Sequence, residues 1–181
     1  GDATSPAPYG NAASPLNPGS GGGSNPADSW RTNAGAGGGA IRIQATATAT
    51  VHGIISANGG TVTYGQNTAP GSGGSIYLIC NVFGGSTSGL IRACAGSNYN
   101  LYAGGAGGGR IALACANLAP EHDTRFACSP TLNDWSHADP SNRYTHFCRP
   151  GTLWLSNTGL LAESLANARF TDVHLLISNT T

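Results

Sequence analysis

The residues best equipped for chemistry gather in one stretch of the chain. Between Ala119 and Arg149 lie Glu121, Asp123, Asp134 and Asp139, with His122, His137 and His146 among them. Zinc takes histidine, cysteine and carboxylate ligands, and glycoside cleavage works with paired carboxylates about 5–10 Å apart. A metal or acid–base centre in this chain would therefore have to assemble here. No His-Glu-x-x-His or comparable ligand spacing is present, so the stretch reads first as a solvated polar loop. No catalytic residue, metal ligand or cofactor is expected. The glycine clusters elsewhere are not phosphate loops, because no Gly-Lys-Ser/Thr follows them. They also lack the aspartate of the Gly-Gly-x-Gly-x-Asp calcium roll. The row Thr46, Thr48 and Thr50 occurs once and reads as an ordinary strand face rather than an ice-binding array.

The cysteines are the other reactive set. Cys80, Cys94, Cys115, Cys128 and Cys148 contain no Cys-x-x-Cys pair, which argues against a zinc ribbon or a thioredoxin-type site. Their meaning depends on the elements that carry them, and these repeat. Gly37-Gly38-Gly39-Ala40-Ile41-Arg42-Ile43 returns as Gly73-Gly74-Ser75-Ile76-Tyr77-Leu78. It returns again as Gly107-Gly108-Gly109-Arg110-Ile111-Ala112-Leu113, and in weaker form as Pro150-Gly151-Thr152-Leu153-Trp154-Leu155. The steps Ile41 to Ile76 and Ile76 to Ile111 are 35 residues each, and Ile111 to Leu153 is 42. A second element, Ile54 to Gly60, recurs at Leu90 to Gly96 and, more weakly, at Thr124 to Pro130. Two elements sharing one period of this size indicate a stacked repeat architecture.

Alternation within the first element assigns its faces. Ile41, Ile43, Ile76, Leu78, Ile111, Leu113, Leu153 and Leu155 form the inner ladder. Arg42, Tyr77, Ala112 and Trp154 form a mixed, exposed outer one. Tyr77 and Trp154 are candidate glycan or subunit contacts, although Arg42 and Ala112 interrupt them. The same alignment sets Cys80 level with Cys115 and Cys94 level with Cys128. Neighbouring strands lie about 4.8 Å apart, so each pair is expected as a disulfide or a buried stack. Cys148 is left over, free or intermolecular. The competing reading makes all of them buried thiols acting as small hydrophobes.

The composition sets the class. The chain has 181 residues, 28 of them Gly, and 39% hydrophobic residues against only 9% charged. The apolar residues fall in short β-branched runs, which a flexible linker would not show. All basic residues are Arg, scattered singly at zero net charge, so neither nucleic acid nor an anionic membrane is an expected partner. No apolar run reaches the length of a membrane helix. The start at Gly1-Asp2-Ala3 suggests a piece of something longer, and neither end reads as a cap. The expected organisation is an entry loop over 1–36, repeats over 37–156 with an insertion at 119–149, and closing or pairing strands over 157–181. Leu160 to Ala168 reads as a short helix or a last strand, and Val173, Leu175 and Ile177 alternate as a strong strand. Asn179-Thr180-Thr181 is an N-glycosylation sequon.

Taken together, Gly-Gly-Gly-Ala-Ile-Arg-Ile, Ile-Ser-Ala-Asn-Gly-Gly, Gly-Ser-Gly-Gly-Ser-Ile-Tyr-Leu and Gly-Gly-Gly-Arg-Ile-Ala-Leu resemble the glycine-rich repeats of very large secreted bacterial and protist proteins. The match runs over about residues 9–155, with Tyr9 to Gly23 similar to the loop that precedes such repeats, and it breaks off at 119–149. The resemblance implies an all-β, right-handed parallel β-helix or β-solenoid in an extracellular setting, and no catalytic residues. The expected function is a non-enzymatic structural segment of a cell-surface filament, stalk or adhesin. It would associate with itself or with neighbouring repeats of a longer chain. A carbohydrate-binding surface module is the alternative, and a β-helix polysaccharide lyase or glycosidase a more distant one.

Overall fold

A computed structural model describes residues 9–24, 34–62, 68–97, 104–131, 148–161 and 169–177. Its strands are β1 (Ala40–Gln44), β2 (Thr48–Thr50), β3 (Ile54–Ser56), β4 (Ser75–Gly85) and β5 (Leu90–Arg92). They continue with β6 (Arg110–His122), β7 (Arg125–Ala127), β8 (Gly151–Leu155), β9 (Phe170–Thr171) and β10 (Val173–Ile177). Each pairs in parallel with its counterpart one repeat further on. The larger sheet runs β1-β4-β6-β8-β10, with β2 also on β4, and the smaller runs β3-β5-β7-β9. The fold is all-β with parallel sheets, and the described residues alone do not trace a closed coil.

The alternating apolar residues place every strand in register. Ile41, Ile76, Ile111, Leu153 and Leu175 form one inward column; Ile43, Leu78, Leu113, Leu155 and Ile177 form the next. The smaller sheet faces them with Ile55, Ile91, Phe126 and Phe170. Phe126 stacks on Phe170 at 6.0 Å between ring centroids, and Phe83 lies 6.3 Å away on its other side. Each such side chain, fully buried, contributes about 1.5–3 kcal/mol. Ile41 and Ile43 are only half-buried, because β1 has a strand on one side alone among the described residues.

Three expectations change. Ala112 is fully buried rather than exposed, since it lies level with Tyr77 on one side and Trp154 on the other, whose large side chains overshadow a methyl group. Residues 119–131 largely continue the repeat, with a bulge of two extra residues between Leu118 and His122. Strand β6 runs on to His122 and β7 follows at once; residues 132–147 of the expected insertion lie outside the described residues. The third change is a register shift. Leu90 pairs with Arg125, not Thr124, because Phe126 must share the inward face with Ile91. In a parallel ladder a slip of one residue reverses every face. Thr124 instead turns inward at the corner, buried with its hydroxyl directed at the Val51 carbonyl.

Between the sheets' ends the chain runs extended through glycine-rich segments that are not strands. Along 69–74 the amides of Gly71 and Gly74 donate to Gly60 and Ala57, those of Ala69 and Ser72 to Gly23 and Ser20, and that of Gly73 to Gly107. Positions three apart address the same neighbour, and consecutive positions address three different ones. A backbone that does this winds with three residues per turn, the period of polyproline II, with every hydrogen bond leaving the segment. Such packing leaves no room for side chains. A Cβ on Gly71 would fall on the carbonyl oxygen of Ala36, and one on Gly22 on that of Ala69. The last repeat has no such excursion. Asp172 alone joins β9 to β10, at φ 47°, a left-handed conformation that aspartate tolerates better than most residues.

Candidate functional site

The outer face of the larger sheet presents three columns. The middle one reads Arg42, Tyr77, Ala112, Trp154 and Leu176 in consecutive strands. Arg42 is exposed, while Tyr77 and Trp154 are half-buried. The column on its N-terminal side holds Ser75, Arg110 and Thr152. Here the entry loop is fastened to the sheet. Arg110 donates to the carbonyls of Tyr9 (2.8 Å) and Asn17 (3.2 Å) and sits 5.0 Å from the centre of the Tyr9 ring. Ser75 adds a bond to the Asn17 carbonyl at 2.6 Å. The Thr152 hydroxyl is buried and makes no hydrogen bond among the described residues. On the C-terminal side Ile79 and Ala114 flank the aromatics.

A serine–histidine contact that the sequence reading missed sits at the corner between the two sheets. His52 Nδ1 is 3.0 Å from Ser86 Oγ, which is 2.7 Å from Ser88 Oγ, and Ser88 donates to the His52 carbonyl at 2.9 Å. A nucleophile–base pair would need Ser86 to donate to the ring. Proton accounting excludes that arrangement here. The single Ser88 proton goes to the carbonyl, so Ser86 must donate to Ser88, and Nδ1–H must donate to Ser86. The ring is therefore a donor, and the three residues lock the turn of one repeat onto the next. Their separations of 34 and 36 residues match the repeat period, which was the signal available in the sequence.

The cysteines are brought together only in part. Cys80 and Cys115 are level in adjacent strands and both buried. Cys94 and Cys128 are not level, because of the register shift in the smaller sheet; Cys128 turns into the core and Cys94 does not. All five thiols are free, so the expected disulfides are absent. Level residues on parallel strands point the same way, with their Cβ atoms about a strand spacing apart. A disulfide needs roughly 3.8 Å. Burial pushes the Cys80 and Cys148 thiols up, and raises Cys115 to about 11 with a further push from Cys80 alongside. Cys128, buried most deeply, is raised further still, first by burial and then by the neighbouring Cys94.

Of the acidic and histidine-rich stretch, Glu121 is exposed at the end of β6, and His122 Nδ1 lies 2.6 Å from the Ala119 carbonyl. Asp123 pairs with the buried Arg169 at 2.8 Å, and Arg169 also donates to the Leu160 carbonyl at 3.0 Å. This pair ties the corner after β6 to the approach to β9. Asp134, His137, Asp139 and His146 lie outside the described residues, as does the sequon at Asn179. Among the described residues no three His, Cys, Asp or Glu side chains are grouped to hold a metal ion. No described helix is long and apolar enough to cross a membrane. Compared with protein-family models, curated proteins and solved structures, the chain matches none.

Proposed function

We propose that the chain is a non-enzymatic building block of an extracellular, cell-surface filament, stalk or adhesin, coiled as a right-handed β-solenoid with repeats of about 35 residues. The observation that carries this reading is the simultaneous register of two parallel sheets. Each repeat adds one strand to both, and the inward columns continue unchanged in spacing from β1 to β10. Such a stack accepts further rungs at either edge. Among the described residues β1 and β3 at one end, and β10 and β9 at the other, have a partner on one side only. Unpaired edges of this kind recruit more strands, from neighbouring repeats or from another copy. Half-buried Ile41 and Ile43, and Ile177 at 45% exposure, would lose their remaining contact with water on such an extension.

The extracellular setting rests on the likeness of the repeats to those of secreted proteins. Free cysteines do not oppose it. Thiols that are buried and held protonated oxidise slowly, because the thiolate is the reactive form. Negative-stain electron microscopy of the concentrated protein, with and without reductant, tests the reading. Regular filaments that survive reductant are expected. Uniform single particles at every concentration overturn it.

A further inference from the structure

We propose that Cys80 and Cys115 form a two-coordinate site for a soft, closed-shell cation of the copper(I) or silver(I) kind, held in line between their sulfurs. The two residues are level in strands β4 and β6, which neighbour each other in the larger sheet. Both belong to the buried core and continue the inward alternation, Cys80 after Ile76 and Leu78, Cys115 after Ile111 and Leu113. Level residues that point the same way are offset by the strand spacing, about 4.8 Å. That gap is too wide for a disulfide, which takes about 3.8 Å between Cβ atoms. It suits an ion. With the zinc–thiolate length of about 2.3 Å as a guide, two sulfurs on opposite sides of a cation stand about 4.6 Å apart. The spacing that forbids one bridge fits the other.

The ligand set selects the ion. Thiolates favour soft metals, copper(I) and zinc among them. A structural zinc site takes four ligands, and among the described residues no third Cys, His, Asp or Glu groups with this pair. Copper(I) and silver(I) are satisfied by two ligands in line. The column also leaves space, because the residue that precedes Cys80 in it is Ala45, whose amide bonds to the Ile79 carbonyl. Cys115 is anchored by the next repeat: the Ser156 hydroxyl accepts from its amide and donates to its carbonyl, both at 2.9 Å. At 7% and 6% exposure, against 2% or less for Ile76, Leu78, Ile111 and Leu113, the two thiols keep a narrow opening to water. Burial, and then Cys80 alongside, push the Cys115 thiol up, so the pair resists ionising unaided. A cation between the sulfurs reverses the second push; both thiol protons leave as it enters, and one negative charge remains. A backbone hydrogen bond from Ala49 to Cys80 is placed to share that charge. The site lies within the ladder rather than at its edges, so ion binding and filament formation can fail separately.

The test titrates the full chain with silver(I) and, without oxygen, with copper(I) in competition with bicinchoninate. It is run on the Cys94→Ser/Cys148→Ser variant, which removes the two half-buried thiols that could take soft ions by themselves. One ion per chain is expected, with a rise in melting temperature that grows with ion concentration. Adding Cys80→Ser or Cys115→Ser should weaken binding at least about tenfold, since losing one of two linked ligands forfeits the chelate. Circular dichroism identifies any variant that has failed to fold, and alanine then replaces serine at that position. X-ray absorption at the copper edge should find two sulfur neighbours. Four outcomes overturn the proposal: no ion bound near one equivalent, binding that persists in folded variants lacking either cysteine, zinc bound as tightly as copper(I), or an ion shared between two chains in sedimentation.

Discussion

The strand layers and the glycine-rich layer are made from the same chain at alternate stages of each repeat, yet they hold together in opposite ways. In the sheets, residues alternate between two faces, and large side chains such as Phe126 and Leu153 fill the space between layers. In the glycine-rich segments the backbone itself fills the space, its amides shared among three neighbours, and side chains are what must be kept out. Deleting volume should therefore damage the first region, and adding volume the second. The contrast explains why 28 glycines are compatible with a packed molecule. Most of the described glycines are close-packing surfaces, where an added Cβ would meet neighbouring backbone, rather than flexible joints.

The sharpest way to break the contrast is a pair of substitutions within the glycine-rich layer. Gly71→Ala places a Cβ on the Ala36 backbone and should cost more than about 3 kcal/mol, enough to abolish the cooperative transition in a denaturant melt. Gly39→Ala, with nothing within 4 Å of the added atom, should be neutral or stabilising by about 0.5 kcal/mol. Equal effects would mean that the layer does not pack as described. Next in size comes the sheet counterpart. Phe126→Ala removes the ring between Phe83 and Phe170 and should lower stability by about 3 kcal/mol or more, measured by urea unfolding.

The smallest expected effect is on pH dependence. A thiol whose pKa is raised on folding favours the folded state while it stays protonated. The unfolded chain begins to release these protons near pH 9, whereas Cys115 retains its own to about 11. The unfolded state then binds fewer protons, so stability falls as pH rises across that window. The Cys115→Ala and Cys128→Ala variants should flatten the decline in melting temperature between pH 8.5 and about 11. A slope unchanged in both would place the alkaline titration elsewhere.

Much of the sheet architecture was legible because Ile-x-Ile recurs at a fixed interval and a period of two admits only one inward set. The smaller sheet was misaligned by one residue. The eye matched Ala93-Cys94 to Ala127-Cys128, while the fold matched Ile91 to Phe126, since burial of a large ring outweighs likeness of letters. The threefold winding could not be read at all: small residues, Gly, Ala and Ser, fill most positions of these segments, so no large side chain marks a period of three. Ala112 was mistaken for an exposed residue because its burial comes from neighbours in other repeats rather than from its own strand. On the outer face the shared column of Arg42, Tyr77, Ala112 and Trp154 was legible, because aligning the repeats sets these residues level.

The single-residue link at Asp172 has a mechanical consequence. Tension applied from β1 towards β10 crosses the strand ladders in series, so the molecule parts at its weakest joint. At earlier steps two sheets and the glycine-rich layer share the pull. At the last, among the described residues, β10 is held to β8 alone, the smaller sheet has already ended at β9, and no glycine-rich excursion runs between β9 and β10. The Arg169–Asp123 clasp lies one step earlier, where β7 pairs with β9, and leaves this joint unbraced by it. Under axial force this end should peel away first, as a short fuse that spares the remaining rungs.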